Sequence, residues 1–334
     1  MKKSPIFSLT LLAFISLAAD SSQAADLLAY YNYNGDTNDS SGNGATGALT
    51  GGAVISADGT GYSGAAGDSS LDLGVNAGGS SEYSASTVDF SSAIANNSMS
   101  VSFWQYNVGN GGGGNINNTP FAVLGTGGEA RGFGAHTTWS NGILYFDHSG
   151  CCGGAQRLTS NGALDPNLID EWHHIVLQVD NGSKEIWLDG ALLNSQETGA
   201  AAISSTLTGE LFVGQQFDGT VGFAGRIDEF AIFANTLTPE QVMELAAGAN
   251  PPDLIAPPVP FIITEVNHDT VTDTTMITWN SRANRTYAVD ASDDLITWEE
   301  LDDGVISEGK STSFIATTLP AGAPRKFYRV REIQ

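Results

Sequence analysis

Short runs of alternating apolar and polar residues, each bounded by Gly, Asn, Asp or Ser, recur from Leu27 to Phe233. Such runs predict short β-strands joined by tight turns, because successive side chains of a strand point to opposite faces of a sheet. The pattern predicts an all-β sandwich or jelly roll. Its strand-like segments are LLAYYNY, MSVSFWQYN, FAVLG, GILYFD, WHHIVLQVD, KEIWLDGALLN and GELFVGQQ.

One helix is predicted after these strands, in the segment LTPEQVMELAAGAN. Thr238 would be its N-cap, Pro239 its first residue, and Gln241 the partner that completes a capping box. The proline-rich residues 250–260 then predict a semi-rigid linker. From Phe261 a second series of short strands begins, and about 75 residues in such strands suit a small fibronectin-like sandwich, 261–334.

The N-terminus has the pattern of a secretory signal peptide, with Lys2 and Lys3 followed by a short apolar run and small residues. Cleavage after Ala24 is expected, which leaves an exported chain with a first domain over 25–249. No later apolar run is long enough to span a membrane. The net charge of −24 makes nucleic acid and anionic membrane surfaces unfavourable partners.

Four motifs of the first domain occur in an order that resembles the laminin-G-like, concanavalin A-like jelly-roll proteins secreted by bacteria. They are LLAYYNYNGDTNDSSGNGATGAL, MSVSFWQYN, DEWHHIVLQVDNGSKEIWLDGALL and GFAGRIDEFAIFANTLTPEQV. The C-terminal segment ITWNSRANRTYAVDASDDLITWEEL resembles the small fibronectin-like modules appended to such proteins. The resemblance implies a two-sheet sandwich, a structural calcium ion, and a role in binding or adhesion.

A calcium site is predicted from the loop NGDTNDSSGNG together with the strand GRIDEF. Calcium takes six to eight oxygen ligands, which a glycine-bent loop rich in Asp and Asn can supply. The resemblance implies that Asp36, Asp39 and Asn43 of this loop share one ion with Asp228. The alternative is a hydrophilic turn in which Asp and Asn only make local hydrogen bonds.

Glycan hydrolysis on this fold would need two carboxylates flanking a cleft, and the alternating run E-x-D-x-x-E typical of laminarinases is absent. Asp228 and Glu229 are adjacent, so a regular strand would point them to opposite faces. The same argument separates His173 from His174. A zinc site at His136, His148 and the cysteines is disfavoured, because adjacent cysteines are poorly placed for tetrahedral ligation. A non-catalytic protein is therefore expected.

A ligand site is predicted around the strand GILYFD. Sugar rings have an apolar face that stacks on exposed aromatic rings, while their hydroxyls bond to polar side chains. A hairpin could bring such residues together, and the predicted set is His136, Trp139, Asp147, His148 and Arg157. The alternative is that Trp139 caps the edge of the sandwich and the polar residues are solvated.

The only two cysteines, Cys151 and Cys152, are adjacent in the segment FDHSGCCGGAQ. A bond between neighbours closes no chain loop, so it would contribute little through the entropy of the unfolded chain. We expect a vicinal disulfide that forms a stiff knob beside Trp139, His148 and Arg157. Free thiols and an intermolecular bond are the two alternatives.

Together these features predict an exported, calcium-stabilised binding module for a glycan or another cell-surface ligand. The alternatives are an adhesion protein with a protein partner, or a polysaccharide-degrading enzyme with an unfamiliar set of residues. The ligand, the oligomeric state and the choice between release and surface attachment stay open.

Overall fold

The computed structural model describes residues 26–75, 82–109, 117–126, 131–164, 168–254, 262–269, 271–272, 274–281, 286–307, 311–316 and 327–333. The predicted signal peptide, 1–24, lies outside the described residues. These residues fall into two compact units, one up to Leu254 and one from Ile262 onward. No helix within the described ranges is both long and apolar enough to cross a membrane.

The first unit is built almost entirely from short strands. Its elements are β1 (Leu27–Tyr31), β2 (Ala48–Thr50), β3 (Val54–Ile55), β4 (Leu71–Gly74), β5 (Glu82–Ala85), α1 (Ser91–Asn96), β6 (Ser98–Asn107), β7 (Phe121–Gly125), β8 (Arg131–His136), β9 (Tyr145–His148), β10 (Arg157–Thr159), β11 (Trp172–Asp180), β12 (Ser183–Leu188), β13 (Ala191–Gln196), β14 (Leu207–Val213), β15 (Gly225–Phe233), α2 (Pro239–Ala246) and a 3-10 helix, Pro251–Leu254.

The strands form two antiparallel sheets. The eight-stranded sheet has the order β13-β12-β11-β6-β15-β4-β3, with β1 added against β15. The seven-stranded sheet has the order β10-β9-β8-β7-β14-β5-β2. The predicted two-sheet sandwich is confirmed.

The core lies between the sheets and follows the two-residue period of the strands. In β6, Met99, Val101 and Phe103 are fully buried and pack in the central cluster, whereas Ser102 and Trp104 point to the outer face. The predicted Asp189–Gly190 turn joins β12 to β13, and both residues have positive φ, of 50° and 79°.

Helix α2 covers part of the outer face of the eight-stranded sheet. Its predicted capping box is present, because the Thr238 hydroxyl accepts from the Gln241 backbone N–H and the Gln241 side chain accepts from the Thr238 N–H. Val242 packs with Leu254 of the 3-10 helix in an outer cluster. Residues 251–254 of the predicted linker thus belong to the first unit, and 255–260 lie outside the described residues.

Helix α1 was not expected from the sequence, which predicts only α2. Its six residues are too few to show a helical period of 3.6, and it has no side-chain cap.

The second unit is a small β module with two three-stranded antiparallel sheets among its described residues, ordered β16-β17-β20 and β19-β18-β21. Trp279 and Tyr287 are fully buried at its centre. Its strands are β16 (Ile263–Asp269), β17 (Thr274–Asn280), β18 (Thr286–Ser292), β19 (Glu299–Ile306), β20 (Ser311–Ala316) and β21 (Phe327–Ile333).

Candidate functional site

Three carboxylates meet beside β15. Asp68 arrives from the loop before β4, and its carboxylate lies with those of Asp228 and Glu229 within 4.8 Å of one another. A β-bulge interrupts the pairing of β15 with β6 between Asp228 and Ala231, and Glu229 has a φ of +50°. We call Asp68, Asp228 and Glu229 the acidic centre.

The bulge corrects one expectation from the sequence. A regular strand would send Asp228 and Glu229 to opposite faces, whereas the extra residue of the bulge turns Glu229 toward Asp228. The two-residue period of a regular strand does not hold where the strand is bulged.

Hydrogen bonds fix each member of the acidic centre. Asp228 accepts from the backbone N–H groups of Tyr62 and Glu229, each at 2.9 Å. Asp68 accepts from the N–H and the hydroxyl of Ser63, at 2.8 and 2.5 Å. The Tyr30 hydroxyl donates to Glu229.

The three carboxylates of the acidic centre repel one another when they are charged. Burial, followed by the neighbouring Glu229 and Asp68, raises the pKa of Asp228 to about 9. Burial and Asp68 also raise the pKa of Glu229 to about 7. Within the described chain, no Lys or Arg forms an ion pair with any of the three carboxylates. A divalent cation bound by oxygen ligands would neutralise this charge.

The structure does not bring the predicted loop residues to Asp228. The Asp39 carboxylate is occupied by the backbone N–H groups of Tyr30, Ser41 and Ala45, at 2.9 to 3.0 Å. These bonds lower its pKa against the opposing effect of its partial burial, and they stabilise the turn itself. In the predicted set, only Asp228 belongs to the acidic centre.

The other two loop residues also have local roles. The Asn43 amide donates to the carbonyls of Leu27 and Leu28, at 2.8 and 3.1 Å, and so attaches the loop to β1. Asp36 is exposed and accepts from the Asn38 N–H at 2.9 Å. Sequence reasoning missed Asp68, which lies 160 residues from Asp228 and has no motif of its own.

A second group of polar residues lies on the outer face of the seven-stranded sheet. Asp147 of β9 is almost fully buried and bonds to Arg131 at 2.9 Å and to Arg157 through two bonds of 2.6 Å. These bonds raise the pKa of Arg157, which keeps its charge. This geometry follows from the pairing of β9 with β10, which places Asp147 opposite Arg157.

Small residues lie next to this ion pair. Gly134 of β8 is opposite Asp147 of β9, and Ala122 of β7 is opposite Gly134. They leave a shallow depression in the sheet surface, which Arg131 and Phe217 also line. We call this depression, together with the Arg157 side chain bonded to Asp147 beside it, the arginine groove; its residues are Ala122, Arg131, Gly134, Asp147, Arg157 and Phe217.

Partly exposed aromatic rings border the arginine groove. The guanidinium of Arg157 lies over the Tyr145 ring at 4.6 Å, and that of Arg131 lies over the Phe217 ring at 5.2 Å. Such contacts hold a long cationic side chain in one orientation while one face stays accessible. Arg131, Tyr145 and Phe217 were not in the predicted set.

His136 and Trp139 continue this face beyond Tyr145, the residue opposite His136. Their rings are 4.4 Å apart, and the Thr119 hydroxyl is 2.8 Å from Nδ1 of His136. Burial lowers the pKa of His136 to about 4, so the ring is neutral at pH 7. Trp139 is partly exposed.

His148 does not join the predicted ligand set. It follows Asp147 in β9 and therefore points to the inner side of the sheet, where its ring packs near Phe133 and Phe146. Its Nε2 bonds to the carbonyl of Ala201 at 2.8 Å. Four of the five predicted residues thus share one face, and the strand period excludes the fifth.

Buried Lys184 of β12 lies on the same inner side and was also missed. Its Nζ donates to the carbonyls of Phe146 and Gln156, at 3.0 and 2.8 Å, and so ties β9 to the start of β10. Burial lowers its pKa to about 7.

Cys151 and Cys152 form a disulfide in the exposed loop between β9 and β10. The loop is bound to the start of β8 through the Gly150 N–H and the Arg131 carbonyl, at 2.9 Å. Trp139 follows the C-terminal end of β8, and the rise of a strand places the two ends of β8 about 17 Å apart. The disulfide therefore lies at the arginine end of the face and not beside Trp139.

Comparison with protein families shows a match of residues 77–243 to the model of the concanavalin A-like lectin/glucanases superfamily. A comparison with curated proteins found no match.

Two solved structures illustrate what the chain is similar to. Domain 4 of AbnA, an extracellular GH43 arabinanase from Geobacillus stearothermophilus, in complex with arabinotriose, is 21% identical, with a TM-score of 0.48 over 67% of this chain and 100% of that one. A botulinum neurotoxin type C, described as dependent on two ganglioside molecules for cell entry, is 15% identical, with a TM-score of 0.45 over 79% of this chain and 56% of that one. This chain thus spans little more than half of the toxin chain.

Proposed function

Starting from the fact that this chain belongs to the concanavalin A-like lectin/glucanases superfamily, we propose that it is an exported, non-catalytic module that binds a glycan through the arginine groove. We further propose that calcium at the acidic centre stabilises its fold. The two proposals rest on different residues and can be tested separately.

The observation that carries the glycan proposal is the ion-paired Asp147 between two arginines, beside partly exposed aromatic rings. Fixed donors and acceptors suit sugar hydroxyls, and an aromatic ring suits the apolar face of a sugar. The face runs from the Cys151–Cys152 loop to Trp139, along the whole of β8. Such a length suits an oligosaccharide better than a single sugar.

Calcium fits the acidic centre by the chemistry of its donors. Asp68, Asp228 and Glu229 are hard oxygen ligands that approach each other with no compensating cation among the described side chains. Calcium would supply the missing positive charge, and carbonyl groups and water could complete its shell. In this role the three residues hold the loop before β4 against the bulge of β15.

The acidic centre could instead be a pair of catalytic carboxylates, since raised pKa values are typical of general acids. Burial and hydrogen bonding oppose this reading. Asp228 has no exposed surface and already accepts two backbone N–H groups, and the Tyr30 hydroxyl occupies Glu229. A glycosidic bond could not reach Asp228, which favours a structural site over a catalytic one.

A glycan array probed with the purified chain, with and without chelator, tests the proposal. Arg157→Gln should lower the affinity for a bound glycan by about tenfold or more, because a charge-assisted hydrogen bond is lost. Arg329→Gln in the second unit is the matched control, since Arg329 also pairs with a buried aspartate, Asp290. Equal losses in both variants would contradict a site at the arginine groove.

The same array and a product assay separate the alternatives. A protein-binding adhesion module would bind no glycan on the array. Release of reducing sugars from algal and plant polysaccharides would instead show an enzyme.

A further inference from the structure

A second aromatic surface lies on the outer face of the eight-stranded sheet, on the other side of the sandwich from the arginine groove. Tyr106 of β6 is opposite Trp172 of β11 and opposite Arg226 of β15. The rings of Tyr106 and Trp172 are 5.6 Å apart, and the Arg226 guanidinium lies 4.6 Å from the first and 5.3 Å from the second. All three side chains are partly exposed. We call these residues the Arg226 surface.

The Arg226 surface continues into a second pair of rings. Trp104, two residues before Tyr106 and so on the same face, stacks on Tyr62 at 4.5 Å with the planes 16° apart. The Tyr62 N–H bonds to Asp228, so the acidic centre positions this end of the surface. Both rings are partly exposed.

Arg226 keeps part of its hydrogen-bonding capacity. Its Nη1 donates to the Thr60 carbonyl at 2.7 Å, which fixes the orientation of the guanidinium. Among the described residues, the Nε and Nη2 edge has no bonded acceptor, and no carboxylate pairs with Arg226. An arginine with no acidic partner among the residues that the structure describes is unexpected in a chain with 37 acidic and 13 basic residues.

We propose that the Arg226 surface binds a carboxylate-bearing sugar of the uronic acid class. The planar edge formed by Nε and Nη2 matches a carboxylate through two parallel hydrogen bonds. The neighbouring Trp172 and Tyr106 rings offer the apolar area on which the sugar ring stacks. The chain would then bind glycans on both faces of the sandwich, with an acidic sugar selected only here.

The test uses the full chain and two probes that differ only at the carboxyl groups, an oligogalacturonate and its fully methyl-esterified form. Calorimetry at constant ionic strength should show that the wild-type chain binds the acid at least about tenfold more tightly than the ester, since a bidentate ion pair is available. Arg226→Gln should remove this preference and leave the affinity for the ester nearly unchanged. Trp172→Ala should weaken the binding of both probes.

Two further variants distinguish the sites. Arg226→Lys keeps the charge without the planar edge and should retain only part of the preference, at an unchanged melting temperature. Arg157→Gln removes the same charge from the arginine groove and should leave the preference intact. The inference is overturned if the wild-type chain does not prefer the acid, if Arg226→Gln keeps the preference, or if Arg157→Gln abolishes it.

Discussion

Replacing Asp228 with asparagine should change stability in opposite directions with and without calcium. In chelator, the folded chain has to bury Asp228 beside two other carboxylates. Its pKa rises from 3.8 to about 9 for that reason, so the folded state at pH 7 keeps a proton that the unfolded state has released. The difference between pH 7 and 3.8, at 1.36 kcal/mol per pH unit, is a cost of about 4 kcal/mol.

An asparagine at this position would not carry this cost, but it would lose one interaction. The two carboxylate oxygens accept from different N–H groups, those of Tyr62 and Glu229, and an amide has only one oxygen. Leaving one N–H without an acceptor costs about 1 kcal/mol. In chelator, we therefore expect Asp228→Asn to be more stable than the wild-type chain by about 3 kcal/mol.

Calcium should reverse the order. At a thousandfold excess over its Kd, an ion that binds only the folded state adds about 4.1 kcal/mol, which exceeds the advantage of the variant. The asparagine variant would gain little, because it lacks one of the three carboxylates.

Urea unfolding of both chains at pH 7, in chelator and in calcium, measures the two differences. Asp39→Asn is the matched control, since its carboxylate only stabilises a turn, and it should lose the same stability under both conditions. In chelator the wild-type chain should also gain stability from pH 7 to pH 5, because the folded state binds more protons, whereas Asp228→Asn should gain less. If Asp228→Asn is equally destabilised in chelator and in calcium, the charge argument fails.

Three other predictions follow from contacts outside the acidic centre. The pKa of Lys184 is lowered from 10.5 to about 7, so the unfolded chain binds more protons than the folded chain above pH 7. Between pH 7 and 9, the wild-type chain should therefore gain stability over Lys184→Met by up to about 1.4 kcal/mol per pH unit. A stability difference that stays constant with pH in denaturation experiments would contradict this. The intact mass without reductant should show a monomer two hydrogens lighter than the dithiol form. The double variant Cys151→Ser/Cys152→Ser should melt within a few degrees of the wild-type chain but bind glycan more weakly. Two reactive thiols in the native protein would refute the Cys151–Cys152 disulfide. Limited proteolysis should cut within 255–260 first. The stable fragment released should still contain Leu254, because Leu254 packs with residues of the first unit. Early cuts within the sheets would refute this domain boundary.

The regular spacing of apolar and polar residues predicts most of the fold. The strand segments, the Asp189–Gly190 turn and the capping box of α2 depend on residues close together in the chain, so the sequence predicts them directly. The same two-residue period, applied strictly, would have separated His148 from Asp147 and removed it from the ligand set. The inward orientation of His148 was therefore predictable from a local rule.

The acidic centre was not predicted from the sequence, for a different reason. Its geometry requires a bulge that turns Glu229 toward Asp228, and no residue at that position identifies a bulge in advance. It also requires Asp68, which lies in a loop distant in sequence from β15 and whose carboxylate is held in place by hydrogen bonds from Ser63. Asp39 matched the implied pattern better, yet three nearby N–H groups already satisfy its carboxylate.

The contrast between Asp39 and Asp228 gives a physical criterion for separating a turn carboxylate from one that we propose as a metal ligand. Partners that only donate hydrogen bonds to the charged form lower a pKa, and the carboxylate is then stable without an ion. Burial among other carboxylates raises a pKa, and the charged form then needs a cation. Both aspartates lie in acidic, glycine-flanked motifs, so composition does not distinguish them. The direction of the pKa shift does, because it depends on whether the fold already supplies the positive charge or donors that each carboxylate requires.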